Sequence, residues 1–182
     1  MGLFDRLFDW MFGKPIPVPA PVPSPVEPSA ILTLLELHND YRLANGLPKL
    51  IHNPVLDNSA QFWANWMARE SKLVHEAKGY TLVSRIRDAG FTPWLTLAEN
   101  ILKGAISSDQ AFDIWKKSKP HQLNILGNYR SIGFGVALDT RAVPFWCVNF
   151  GSLADSPPLK DFYASFNPEF DQRVTLSGPI FP

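Results

Sequence analysis

The chain has 182 residues and carries 17 basic and 17 acidic side chains, so its formal net charge at pH 7 is zero. Hydrophobic residues make up 46% of the sequence, which fits one globular domain with appendages. No basic excess is available for binding nucleic acid. Cys147 is the single cysteine, which excludes an internal disulfide, and its apolar neighbours predict a buried thiol.

Residues 1–14 predict a short amphipathic helix, because apolar side chains recur at three- and four-residue steps. The segment is too short to cross a bilayer, which needs about 20 apolar residues. Its acidic residues do not suit a secretory signal, so we expect synthesis in the cytoplasm without a signal peptide or a transmembrane segment. The apolar face would dock on a protein partner or lie on a membrane surface. The docking residues would be Leu3, Phe4, Leu7, Phe8 and Met11.

Residues 15–28 predict a semi-rigid linker, since proline stands at nearly every second position and favours polyproline II. At about 3.1 Å per residue, this linker would hold the N-terminal helix roughly 40 Å from the main domain. Two interpretations remain open. The first 14 residues are a docking helix on a proline-rich arm, or they are an inert start on a stiff spacer.

Residues 29–155 form the predicted main domain, which opens with helices. Gly46 is expected to end the first helix and Asn53 to cap the second. Helices are predicted over 31–45, from 54 onward, over 80–89 and over 108–117. Strands are predicted over 97–102, 132–138 and 145–150, and the last two would pair as an antiparallel hairpin. Helices followed by a late hairpin indicate an α+β domain.

Aromatic residues are expected in three settings. Trp63, Trp115 and Trp146 stand at helical or strand positions, which predicts that they belong to the core. Trp94 precedes the 97–102 strand in a loop and is expected at the rim of a cleft. Residues 156–182 combine proline with aromatic side chains, which predicts an extended tail packed on this domain or on a neighbour.

The main concentration of site chemistry is one carboxylate and two imidazoles, contributed by Glu99, His75 and His121. These residues belong to an ordered series that resembles the CAP superfamily, the SCP/PR1-like domain, in its bacterial branch. The resemblance covers roughly residues 29–155. It is carried mainly by His38-Asn39, Arg42, Gly46-Leu47-Pro48, His75, Arg85-Ile86, Ala89-Gly90, Ala98-Glu99-Asn100-Ile101, Trp115, Ser118, His121 and Asn124-Ile125-Leu126.

The resemblance implies a three-layer α-β-α sandwich with a central, mainly antiparallel sheet and a cleft of histidines and acids. His75, Glu99 and His121 match three members of the family's usual tetrad. The fourth, an acid about eleven positions after the first histidine, is missing. Ile86 falls near that position, with Arg85 beside it. His38 matches a family position that supports the structure.

Three kinds of chemistry fit these cleft residues. His75, Glu99 and His121 could bind Zn²⁺ or another divalent metal and leave a position open for a ligand. Glu99 and His121 could instead act as catalytic groups without metal. The third possibility is a buried polar cluster that is hydrogen-bonded to Asn100 or Ser118 and only fixes the packing. Ser118 is more readily a cap or turn residue than a nucleophile.

Three functions follow, and the residues favour a non-enzymatic one. The first is a binding or assembly module, tethered through residues 1–28 to a phage particle or another large structure. The second is a metal-dependent hydrolase or ligand binder that uses the cleft, which Asn100, Ser118 and Trp94 would complete. The third is a membrane-surface protein, anchored by the N-terminal helix.

Overall fold

A computed structural model describes residues 28–154 of the chain. The predicted docking helix, the linker up to residue 27 and the C-terminal tail lie outside this range. The helices are α1 (Pro28–Ala44), α2 (Pro54–Glu70), α3 (Leu82–Asp88), α4 (Ser108–Lys117) and α5 (Lys119–Ile125). The strands are β1 (Ile51–His52), β2 (Trp94–Lys103), β3 (Ser131–Leu138) and β4 (Pro144–Leu153).

The four strands form one sheet in the order β1-β3-β4-β2. β1 runs parallel to β3, whereas β3 and β2 each pair with β4 in antiparallel register. Helix α2 packs on one face of the sheet, and the helices α1, α4 and α5 pack on the other side. This arrangement confirms the α+β fold and the expected sandwich with a mainly antiparallel sheet.

The core lies on both faces of the sheet. Trp63 of α2 and Trp115 of α4 are fully buried, and Trp146 of β4 is 3% exposed, so the three expected core tryptophans are confirmed. The thiol-bearing residue Cys147 is also buried, as predicted. His38 of α1 is fully buried among aromatic rings, and its Nδ1 lies 2.7 Å from the Leu34 carbonyl oxygen.

Glycines allow α2 to lie directly on β3. A Cβ atom on Gly133 would overlap the Asp57 amide nitrogen, and one on Gly135 would overlap the Ala60 carbonyl carbon. Asn53 caps α2 by accepting a hydrogen bond from the Val55 amide at 2.9 Å. Because Gly133 and Gly135 have no side chain, the backbone of α2 approaches β3 more closely than any larger residue would permit.

Two elements differ from the sequence expectation. His52 belongs to β1, where the sequence predicted no strand, and its Nε2 lies 2.6 Å from Asp57 Oδ2. Residues 119–125, where the sequence predicted no helix, form α5 with Pro120 in its first turn, where the missing amide hydrogen costs no helical bond. No helix within residues 28–154 is both long enough and apolar enough to cross a bilayer.

Candidate functional site

The centre of the site is the Glu99 carboxylate on β2, whose side chain is only 2% exposed. Oε1 accepts a hydrogen bond from His75 Nδ1 at 2.9 Å. Oε2 accepts one from Arg85 Nη2 at 2.5 Å and faces the Cys147 thiol at 3.3 Å. Since an ionised carboxylate only accepts hydrogen bonds, all three partners act as donors. Both oxygens of Glu99 are therefore engaged by other side chains.

Arg85 reaches Glu99 from helix α3, which begins at a capping box formed by Thr81 and Ser84. Its side chain is 1% exposed, and Nη1 donates a hydrogen bond to the His75 carbonyl oxygen at 3.0 Å. The guanidinium carbon lies 3.8 Å from the centroid of the Trp63 ring. An aromatic face, a carboxylate and a backbone carbonyl thus hold this permanent positive charge.

His75 lies in the connection between α2 and α3, and its side chain is 58% exposed. The hydrogen bond to Glu99 raises the pKa of His75 above its usual 6.5, because it favours the protonated ring. Burial and the nearby Arg85 charge act in the opposite direction. His75 therefore offers the cleft an accessible ring with a stabilised proton.

His121 stands on α5, which an amide network attaches to the edge strand β2. Asn100 Nδ2 donates to the His121 carbonyl oxygen at 3.1 Å. Asn124 Nδ2 donates to Asn100 Oδ1 at 2.8 Å and to the Glu99 carbonyl oxygen at 3.2 Å. Burial, followed by the charge of His75, lowers the pKa of His121 below 6.5. Its Nδ1 is buried and has no hydrogen-bond partner among the described residues.

The structure thus brings Glu99 into contact with His75 and, through Asn100 and Asn124, with the helix that carries His121. The other two predicted cleft residues are more peripheral. Ser118 stands at the junction of α4 and α5, and its side chain makes no capping hydrogen bond. Trp94 is 36% exposed at the start of β2, five residues before Glu99 or about 16 Å along the strand.

The Arg85 charge disfavours a divalent metal at Glu99. Each carboxylate oxygen has two lone pairs, but His75 donates to Oε1 and a permanent cation lies against Oε2. A metal ion would be repelled by the Arg85 charge that neutralises Glu99. Within residues 28–154, no group of three or more histidine, cysteine or acidic side chains is arranged to hold a metal ion.

Sequence reasoning missed the role of Arg85 and the contact of the Cys147 thiol with Glu99. Arg85 stands next to the position where the expected acid is missing, and this was the available signal. The inward orientation of the Arg85 side chain could not be read from the sequence, since an arginine on a short helix is ordinarily exposed. Its burial depends on the Trp63 ring, which belongs to another helix.

Residues 35–150 match the sequence profile of the family described as CAP, the cysteine-rich secretory protein family. The match covers more than half of the chain, and the chain therefore belongs to the CAP family. No curated protein matches the sequence significantly.

Solved structures share the fold at low sequence identity. An outer surface protein from Borrelia burgdorferi is 19% identical, with a TM-score of 0.64 over 70% of this chain and 96% of that one. An extracellular protein with an SCP domain from Bacillus anthracis is 21% identical, with a TM-score of 0.60 over 70% of this chain. A cysteine-rich secretory protein from Staphylococcus aureus is 22% identical, with a TM-score of 0.57 over 71% of this chain. This chain spans only 44% and 40% of the latter two.

Proposed function

We propose that this chain is a CAP-domain binding module, attached to a larger structure through residues 1–28. One observation carries the proposal: the family match begins at residue 35, whereas the apolar pattern of residues 1–14 and the proline-rich segment lie before it. An apolar face of this kind rarely stays in water without a partner. Structural relatives described as an outer surface protein and an extracellular protein support display of the domain outside a cell.

The cleft is proposed to act by binding and not by catalysis. Glu99 is engaged by His75 and Arg85, so it is not available as a general base. Burial raises the pKa of the Cys147 thiol well above its usual range, which keeps it protonated and weakly nucleophilic. The groups that remain for a small polar ligand are the exposed ring of His75 and the unpartnered Nδ1 of His121.

The attachment is tested by placing charge on the proposed docking face. In the native source, we expect the full chain to sediment with large assemblies and the variant Leu7→Glu/Phe8→Glu to stay in the supernatant. Burying two glutamates in an interface costs far more than the lost apolar contact. Arg6→Gln, on the polar face of the same predicted helix, is the matched control and should sediment like the unmodified chain.

Equal sedimentation of Leu7→Glu/Phe8→Glu and the unmodified chain would contradict attachment through this face. Flotation with vesicles of phosphatidylcholine and phosphatidylglycerol separates the two kinds of partner. Attachment to a protein assembly predicts no flotation of the unmodified chain. Flotation that Leu7→Glu/Phe8→Glu abolishes would instead assign the helix to a membrane surface.

A further inference from the structure

A groove of about 360 Å³ opens where the described part of the chain begins. Its walls are the first turn of α1, the loop before α4, and the turn end of the β3–β4 hairpin. None of the cleft residues around Glu99 lines it. The main lining residues are Ser29, Ala30, Thr33, Ile106, Leu138 and Trp146.

The shape of this groove is fixed by hydrogen bonds between its walls. Ser108 Oγ donates to the Ala30 carbonyl oxygen at 2.9 Å, which joins the loop to α1. Trp146 Nε1 donates to the Ala105 carbonyl oxygen at 2.8 Å, which joins the hairpin to the same loop. The groove is therefore a formed surface of the domain.

Two apolar side chains of the groove are nevertheless left in water. Ile106 is 84% exposed, the highest value among the large exposed hydrophobic residues of the described chain, and Leu138 is 42% exposed. Ile106, Leu138 and Pro144 line the same groove and so form one apolar patch, which is the kind of surface that another segment covers.

We propose that residues 21–27 of this same chain lie in the groove and cover Ile106 and Leu138. The chain reaches Ser29, a wall of the groove, directly from these residues. They carry proline and valine and a single charge, at Glu27. Proline-rich segments dock on apolar grooves at low entropic cost because their backbone is already extended. At about 3.1 Å per residue, these seven residues can extend over roughly 22 Å from the groove wall at Ser29.

This contact goes beyond attachment through the first helix, and it does not depend on it. If residues 21–27 bind in the groove, the rest of the proline-rich arm extends from the domain in one fixed direction. The N-terminal segment is then presented at a defined position relative to the cleft. The proline-rich segment would thus act as an oriented arm and not as a free tether.

Disulfide trapping in the full chain tests the contact. We expect Val22→Cys paired with Ile106→Cys to form an intramolecular disulfide roughly tenfold faster than Val22→Cys paired with Leu123→Cys, because the docked segment has a higher effective concentration at the groove. Leu123 is the matched control, since it is 58% exposed and lies on α5, outside the groove. Cys147 is 1% exposed and should not compete.

Equal rates for the two pairs would overturn the proposal. A disulfide that forms mainly between two chains would also overturn it and assign the groove to a second copy. Methyl NOEs provide a measurement that needs no cysteine. The Val22 and Val26 methyl groups should show NOEs to the Ile106 methyl groups in the unmodified chain. The control variant Leu123→Glu, which is changed outside the groove, should show the same NOEs. The absence of these NOEs from the unmodified chain would contradict docking.

Discussion

Arg85 determines the electrostatics of the cleft. Its buried guanidinium neutralises Glu99, and the same group holds the backbone of His75. Removing one partner of such a buried ion pair typically costs about 3–5 kcal/mol, because the other charge stays in the protein interior without compensation. Arg85 thus forms an ion pair with Glu99 from a sequence position next to the one where the family resemblance implies an acid.

His38 makes a separate prediction about acid stability. Burial among aromatic rings lowers the pKa of His38 to about 4, from 6.5 in the unfolded chain. Between these pH values the unfolded chain binds the proton and the folded chain does not. The free energy of unfolding should therefore fall as the pH is lowered from about 6.5 to about 4, by roughly 3 kcal/mol from this residue.

The variant His38→Phe should lose this pH-dependent contribution, since phenylalanine suits the same aromatic surroundings and does not titrate. Urea unfolding of the unmodified chain and the variant at pH 7 and pH 4.5 measures the effect. We expect the difference in free energy between the two pH values to be clearly smaller in the variant. An identical difference in both proteins would show that His38 does not titrate in this window.

At the scale of elements, the close contact of α2 with β3 makes the strongest prediction. Gly135→Ala should destabilise the domain by about 3 kcal/mol or more, since the added methyl group meets the backbone of α2, which cannot yield locally. In Gly127→Ala the atoms nearest to the added methyl group all belong to the Tyr129 ring, a side chain that can shift more readily than helix backbone. This control should cost markedly less in urea unfolding, and equal costs would contradict the proposed backbone contact.

Elements with a local pattern could be predicted, and those that depend on distant partners could not. The helix α4 and the β3–β4 hairpin were predictable because their apolar spacing and turn residues are local. β1 has only two residues, and it is a strand because it pairs with Ser131 and Ile132 of β3. In the cleft, Glu99, His75 and His121 could be found from the sequence. The engagement of Glu99 by Arg85 could not, since it depends on packing between α2 and α3.

At the scale of the whole molecule, the fold separates two surfaces. The cleft lies at the edge strand β2, between the α2–α3 connection and α5. The groove lies where the chain enters α1. The ligand binding proposed for the cleft and the docking of residues 21–27 proposed for the groove would therefore use different surfaces. This division suits a module that is attached by its N-terminal residues and presents a CAP domain.

We propose that the buried Arg85 cation, and not a metal ion, neutralises Glu99 in the cleft. The most direct test is diffraction at the zinc absorption edge from crystals of the full chain soaked in zinc. We predict no anomalous peak within bonding distance of Glu99, with the Arg85 guanidinium still on the carboxylate. A zinc ion bound by His75, Glu99 and His121, with Arg85 displaced, would contradict the claim.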